Sequence, residues 1–290
     1  MKAIKGLIIT LIVIIALAGV TIIGGYIYVR STYGIDLFRT AGQLKTLSQT
    51  PDESVLCPNA FSASDMADVK SNMDEKASGL ISYEESKGYE GYTVDFSDVS
   101  SIAPFTGSIG FSSKQAGALA QTVFFMQTGG KVDIAGKSLP VQLVQTDFTN
   151  ISGDGSADFN VVAKVGLAPF KEAMDSFPYS WFKKYVPDQL YVSSTVRVNK
   201  TDDKMGYNVT HVGLKLNNLS AEDTDDLFHT LDAVLKIGSA ENLNLQIGTT
   251  AVNALIGNAE NIGFAYSMQA LGKTAFEFAV INEQTCFVIY

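Results

Sequence analysis

Leu7 to Val29 is a run of 23 consecutive positions without a charged side chain, and no other feature constrains the chain as strongly. At 1.5 Å per residue, a helix of that length crosses the apolar core of a bilayer with little tilt. Lys2 and Lys5 precede the run and no acidic residue does. The positive-inside bias therefore predicts a cytoplasmic tail over residues 1–6, a single-pass anchor over 7–29 and the bulk of the chain on the outer side of the cell membrane. Arg30, Arg39 and Lys45 lie just beyond the far end. The competing expectation is a cleaved signal peptide, because Ala16-Leu17-Ala18 follows the apolar stretch Leu7–Ile15 with cleavage-site spacing. The run continues past that site through Val20, Ile22, Ile23 and Ile27, with Tyr26 and Tyr28 suited to the headgroup level, which favours a retained anchor.

The chain beyond the anchor is long enough for one large domain or two small ones. The whole carries −9, and its first 29 residues hold two lysines and no acid, so the remainder carries −11. An acidic surface repels phosphate backbones, so nucleic acid is not an expected partner. The same balance argues against lying on anionic lipid through a basic patch. Cys57 and Cys286 are the two cysteines. In an oxidising compartment they are a candidate disulfide tying the start of the outer domain to its last strand; the alternative is two isolated thiols.

Residues 30–60 read as a stalk, with helical potential from Asp36 to Leu47 broken at Thr50-Pro51-Asp52, and residues 61–290 as the outer domain. Ser62 or Ser64 caps a helix reaching about Ser78, with Met66, Val69, Met73 and Ala77 at helical spacing. Ser112 and Gln115 form a capping box opening a second helix, which Gly129-Gly130 ends. Its small face, Ala116, Gly117 and Ala120, permits close approach to a sheet. The period then changes to 2. Val141, Leu143 and Gln145 alternate with Gln142, Val144 and Thr146, and a turn at 152–155 leads to a strand from Ser156 to Val165. A second pair comes next, Leu190 to Val198 with Tyr207 to Leu216. Ser220 and Asp223 cap a helix with Leu227, Phe228, Leu231, Val234 and Leu235 on its apolar face. Beyond it the pattern predicts a strand through Leu243, Leu245 and Ile247, a short helix over 250–256, and a meander over 262–270, 274–281 and 285–290. The expected fold class is α+β: an N-terminal transmembrane helix followed by an antiparallel curved sheet packed on a few helices.

Catalytic signals are sparse. There is no Gly-x-Ser-x-Gly elbow. His211 falls mid-strand and His229 on a helix, and both read as ordinary side chains unless they converge on acidic residues in a cleft. No His-x-x-x-His or Cys-x-x-Cys occurs, and the segment 154–158 only loosely resembles a calcium loop, since the distal glutamate is missing. No catalytic residue, metal or other cofactor is therefore expected. The positive signal is apolar abundance: 46% hydrophobic residues, with 17 phenylalanines and 12 tyrosines. Either the core is well filled or the sheet and helices enclose a cavity for a lipid tail. The candidate lining is Leu119, Val123 and Phe124 on one helix and Leu227, Phe228 and Leu231 on the other, positions that serve equally as core.

Four segments in order carry a resemblance: Gly110-Phe111-Ser112-Ser113-Lys114-Gln115-Ala116, the turn Ser152-Gly153-Asp154-Gly155, Leu167-Ala168-Pro169-Phe170-Lys171, and Val186-Pro187-Asp188-Gln189-Leu190-Tyr191-Val192. Over residues 105–290 the chain resembles membrane-anchored envelope proteins of the YpmS type from Gram-positive bacteria and, more distantly, tubular and periplasmic lipid-binding α/β domains. The resemblance implies an extracytoplasmic module that binds a lipid or another apolar envelope component without catalysis. It assigns no ligand-contact residue by position. The alternative expectation is a scaffold or accessory subunit of a cell-envelope complex that meets a protein partner.

Overall fold

Caps and glycines divide the chain into elements much as their spacing suggests. The computed structural model describes residues 36–97, 99–134, 137–173, 186–201, 204–235 and 239–290. The apolar run 7–29, the tail before it and Trp181 lie outside them. The first part forms helices α1 (Leu37–Ser48), α2 (Glu53–Leu56) and α3 (Ala63–Ala77), then the short strands β1 (Ile81–Tyr83) and β2 (Tyr92–Val94). Strand β3 (Ile109–Ser112) runs directly into α4 (Ser113–Thr128). The central part comprises β4 (Lys131–Ile134), β5 (Lys137–Thr149), β6 (Ala157–Gly166), α5 (Ala168–Ala173), β7 (Gln189–Lys200) and β8 (Tyr207–Leu216). Helices α6 (Ala221–Leu235), α7 (Ala240–Leu255) and α8 (Phe264–Ser267) come after it, with a 3₁₀ turn at Met268–Leu271 and a closing hairpin of β9 (Phe276–Ile281) and β10 (Gln284–Ile289).

Strands β4 to β8 form one five-stranded sheet in chain order, and β3, β10 and β9 form a second. The strands in both sheets pair antiparallel. Helices α4 and α7 lie on one face of the larger sheet, making an α+β fold of antiparallel sheets packed on helices. That face is apolar: Phe148, Phe159, Val161, Val192 and Val196 are all buried. Phe148 stacks on Phe159 at 5.6 Å and meets Phe278 of β9 at 4.8 Å, which joins the two sheets through one aromatic cluster. The opposite face is largely polar, as alternation in a half-solvated sheet requires. There Asn160 bonds Thr149 and Thr195, and Arg197 pairs with Asp158.

The helices begin where the caps place them. Ser112 Oγ accepts from Gln115 N, and Gln115 Oε1 accepts from Ser112 N, so α4 opens with a complete capping box. Gly129 ends it in the left-handed conformation, φ 66°. Met66, Val69, Met73 and Ala77 bury one side of α3. Gly117 allows α4 to lie close: a Cβ there would fall 2.8 Å from Phe61 Cε1 and closer still to Thr146 Oγ1.

Several expectations are corrected. Residues 240–255 form one helix capped by Ser239, not a strand and a short helix. Leu243 and Ile247 are one helical turn apart, and with Ala240, Ala251 and Leu255 they make a buried stripe of period 3.6. The segment 262–270 is α8 plus the 3₁₀ turn; Phe264 and Met268 are both buried at i,i+4. The alternation in β5 reverses phase at Val144, an extra residue between the pairs Leu143–Ala163 and Gln145–Val162. Gln145 therefore leaves the helix-facing side and Thr146 joins it, bonding Ser113 O.

The described part of the expected stalk, from Asp36 onward, is folded onto the domain. Leu44 and Leu47 are buried, and Asn217 Nδ2 donates to Leu47 O. Leu56 and Cys57 cover Val144, Val162 and Tyr191 on the far face of the large sheet. The cysteines are not bonded to each other. Cys57 is a free thiol in that cluster, whereas Cys286 is a free, buried thiol on β10, opposite Ser112 and Ala279. Cys57 lies beside the large sheet and Cys286 within the small one, so the candidate pair stands in this structure as two separate thiols.

Candidate ligand-binding cleft

A bulge decides which way β8 faces. Thr195 pairs with Gly213, but the next residue of β7, Val196, pairs with His211, leaving Val212 as the extra residue. Without that insertion, strict alternation from Leu216 and Leu214 would send Val212 to the helices and His211 to the opposite face. With it, Val212 is 49% exposed and His211 turns toward α7.

Asn244 of α7 receives His211. Its side chain is fully buried, and Nδ2 donates to both Thr195 O and His211 Nδ1, at 2.7 and 2.8 Å. Its Oδ1 accepts from Ser194 Oγ at 2.6 Å. Thr195 O can only accept, so the orientation of the Asn244 amide is fixed, and with it the role of His211 Nδ1 as acceptor. The proton of the neutral imidazole therefore lies on Nε2.

His211 is one wall of a cleft of about 390 Å³ between β8, α6 and the start of α7, lined also by Asp225, Phe228, His229, Asp232, Ser239, Ala240 and Glu241. Asp225, His229 and Asp232 succeed one another at i, i+4 and i+7 along one face of α6. Ser239 is occupied as the α7 cap, its Oγ accepting from Asn242 N at 3.2 Å. Phe228 and Ala240, both buried, supply an apolar floor beneath a rim of two imidazoles and three carboxylates. The two histidines, unremarkable in sequence, thus share a cleft with acidic residues. A second recess of about 280 Å³ lies beyond the other helix, where Tyr89, Phe125 and Pro140 face Gln142 and Lys164. There burial, reinforced by the charge of Glu90, raises the Tyr89 phenol above its ordinary value, against a hydrogen bond from Gln142.

The expected lining is mostly core. Leu119, Val123, Phe124 and Leu227 are buried within the main hydrophobic cluster, and Phe228, buried in the same cluster, borders the cleft as well, alone among the expected residues whose side chains are described. Leu231 lies on α6 one turn beyond Leu227. Sequence patterns do not single out Asn244, Asp232 or Glu241. The signal for Asn244 is an amide inside the apolar stripe of a helix, which stays hidden when 243–247 is read as a strand. Among the described residues, no group of three or more His, Cys, Asp and Glu side chains is placed to hold a metal ion, and no helix is long and apolar enough to cross a membrane.

No family model, no curated protein and no solved structure matches this chain.

Proposed function

We propose that the chain is a membrane-anchored extracytoplasmic binding protein that takes part of a lipid or a similar amphiphile into the cleft between α6 and α7, without catalysis. The observation that carries this reading is the cleft itself, an apolar floor of Phe228 and Ala240 beneath a polar rim. Its volume falls at the low end of the range for small-molecule sites, which suits a headgroup region or a chain segment. The uncharged run Leu7–Val29 supports the anchor, and the YpmS-type resemblance points to the same envelope setting. The Ser239 hydroxyl is committed to its cap and Asn244 holds the accepting nitrogen of His211. This favours a fixed polar rim for recognition over a nucleophile–base pair.

Native mass spectrometry of the full-length protein, released from nanodiscs of defined lipid, tests the reading. A stoichiometric adduct of lipid size is expected, reduced when Ala240→Leu narrows the floor. A bare protein mass under conditions that preserve the fold refutes it.

A further inference from the structure

Helix α1 has two faces. Thr40, Gln43, Leu44 and Leu47 share one side and are buried. From that side α1 grips α6: Arg39 pairs with Glu222, Asp223 and Asp226, and Gln43 Nε2 donates to Asp223. Phe38, Ala41, Gly42 and Lys45 occupy the opposite side, at i, i+3, i+4 and i+7, and all four are exposed. Phe38 is 73% exposed, more than any other large hydrophobic among the described residues. A Cβ built on Gly42 would meet nothing within 4 Å.

The charge of this segment runs against that of the domain. The chain beyond Val29 is strongly acidic, yet α1 contains Arg39 and Lys45 and no acid. The acid nearest in sequence, Asp36, is occupied as the α1 cap, its Oδ1 accepting from Phe38 N and Arg39 N, and the charge of Arg39 is met by the α6 carboxylates. The net charge argues against a lipid-facing basic patch, and the outward face is not one: it carries a single cation, Lys45, and a single ring, Phe38, with no acid among its four residues. Position singles out one occupant for it. Only residues 30–36 separate the end of the apolar run from α1, and seven residues reach at most about 25 Å.

We propose that the outward face of α1 seats on the headgroup layer of the membrane that residues 7–29 span. Phe38 enters the acyl boundary and Lys45 meets lipid phosphates, as on an interfacial helix. The proposal rests on the anchor reading of the proposed function. Because the other side of α1 holds α6, which also walls the cleft, seating α1 fixes the orientation of the cleft relative to the bilayer.

The test uses the full chain with Trp181→Phe, leaving no other tryptophan, reconstituted into phosphatidylcholine–phosphatidylglycerol vesicles with or without brominated acyl chains. Phe38→Trp and, separately, Gly42→Trp place a reporter on the proposed face. Val280→Trp is the comparison. Val280 is exposed on β9, whose Phe278 N bonds Gly155 O beside Lys200, whereas α1 meets the sheet near Tyr191 through Asn217. Those two points lie about 30 Å apart along β7. Brominated lipid is expected to quench both α1 reporters about twofold and to leave the Val280→Trp signal nearly unchanged, and adding Lys45→Glu is expected to weaken the quenching. A chain that floats with the vesicles but whose α1 reporters are quenched no more than Val280→Trp overturns the proposal. A chain that does not float overturns the anchor reading, and this proposal with it.

Discussion

Gly248 marks the place where α7 crosses β7, and replacing it with alanine tests how tightly the helices are set on the sheet. A Cβ at this position would lie 2.8 Å from Val196 Cγ2 and 3.1 Å from its Cβ, and nearer still to Cγ1. Val196 is fully buried on an interior strand, and its branched side chain has little rotameric freedom with which to yield. In an open helix Gly→Ala stabilises by about 0.5–1 kcal/mol. Forcing a methyl into a filled core costs about 1–3 kcal/mol, so Gly248→Ala is expected to destabilise by about 1–2 kcal/mol net. For a domain of this size that lowers the melting temperature by about 3–6 °C. Val196→Ala alone removes two buried methyls at a cost of about 2 kcal/mol. In that background the Gly248→Ala methyl fills the vacated space and restores helix propensity, so the double variant should be more stable than Val196→Ala alone. Thermal and urea unfolding of the four proteins closes the cycle, with a favourable coupling of about 2 kcal/mol expected. A stabilised Gly248→Ala single variant, or effects that add within about 0.5 kcal/mol, would refute the packing argument.

Three further outcomes rest on the hydrogen-bond geometry and the titrating groups. Asn244→Asp replaces the amide that donates to His211 Nδ1 and Thr195 O with a carboxylate, so long-range ¹H–¹⁵N spectra should show the His211 proton moving from Nε2 to Nδ1; a wild-type proton already on Nδ1 would rule out the assigned network. Asp154 is held at about 2, below its ordinary 3.8, by hydrogen bonds from the Ser152 hydroxyl and the Ser156 amide. A depressed carboxylate stabilises the fold above its unfolded value and loses that contribution as pH falls through the folded one, so the 152–156 turn should loosen only near pH 2; a carboxyl titration centred near 3.8 contradicts this. Burial, with a smaller contribution from the charge of Glu53, pushes the Cys57 thiol up to about 11 against the pull of Lys164; alkylation at pH 8 should therefore be slow in the native protein and fast in urea, and rapid native labelling would count against the buried placement.

The parts of the fold legible in sequence were those fixed by local chemistry. The Ser112–Gln115 capping box, the Gly129 stop and the Ser152–Gly155 turn each act over a few residues, and each stands where its residues place it. The errors fell where a short apolar run fits two periods. Leu243, Leu245 and Ile247 alternate, but Leu243 and Ile247 are also a helical i,i+4 pair. The arbiter was the wider stripe from Ala240 to Leu255, together with Ser239 as cap. The bulges at Val144 and Val212 were illegible for a different reason. Neither residue is a glycine; Gly213 beside Val212 is the one local hint, and what moves both residues out of register is the pairing of whole strands, a tertiary effect. The site was therefore less legible than the fold, because His211 reaches the cleft only through one of those bulges.

Helix α6 gives the two halves of the functional reading a common part. Its first turn is held by Arg39 of α1, and its later turns supply Asp225, Phe228, His229 and Asp232 to the cleft. Substituting Arg39 removes a three-carboxylate clamp that lies outside the cleft, while α6 stays on β8 through buried Leu227 and Phe228 and through Thr224 Oγ1, which accepts from Leu216 N. The opposite wall is different in kind: His211 is pinned through Asn244 to the main chain of β7 and cannot move with α6. The cleft thus has one wall pinned by side-chain hydrogen bonds to the sheet and one built on the helix that α1 grips. The ion pairs with Arg39 give a reason for the acidic cluster from Glu222 to Asp226 to sit at the junction with α1, a helix that carries two cations and no acid.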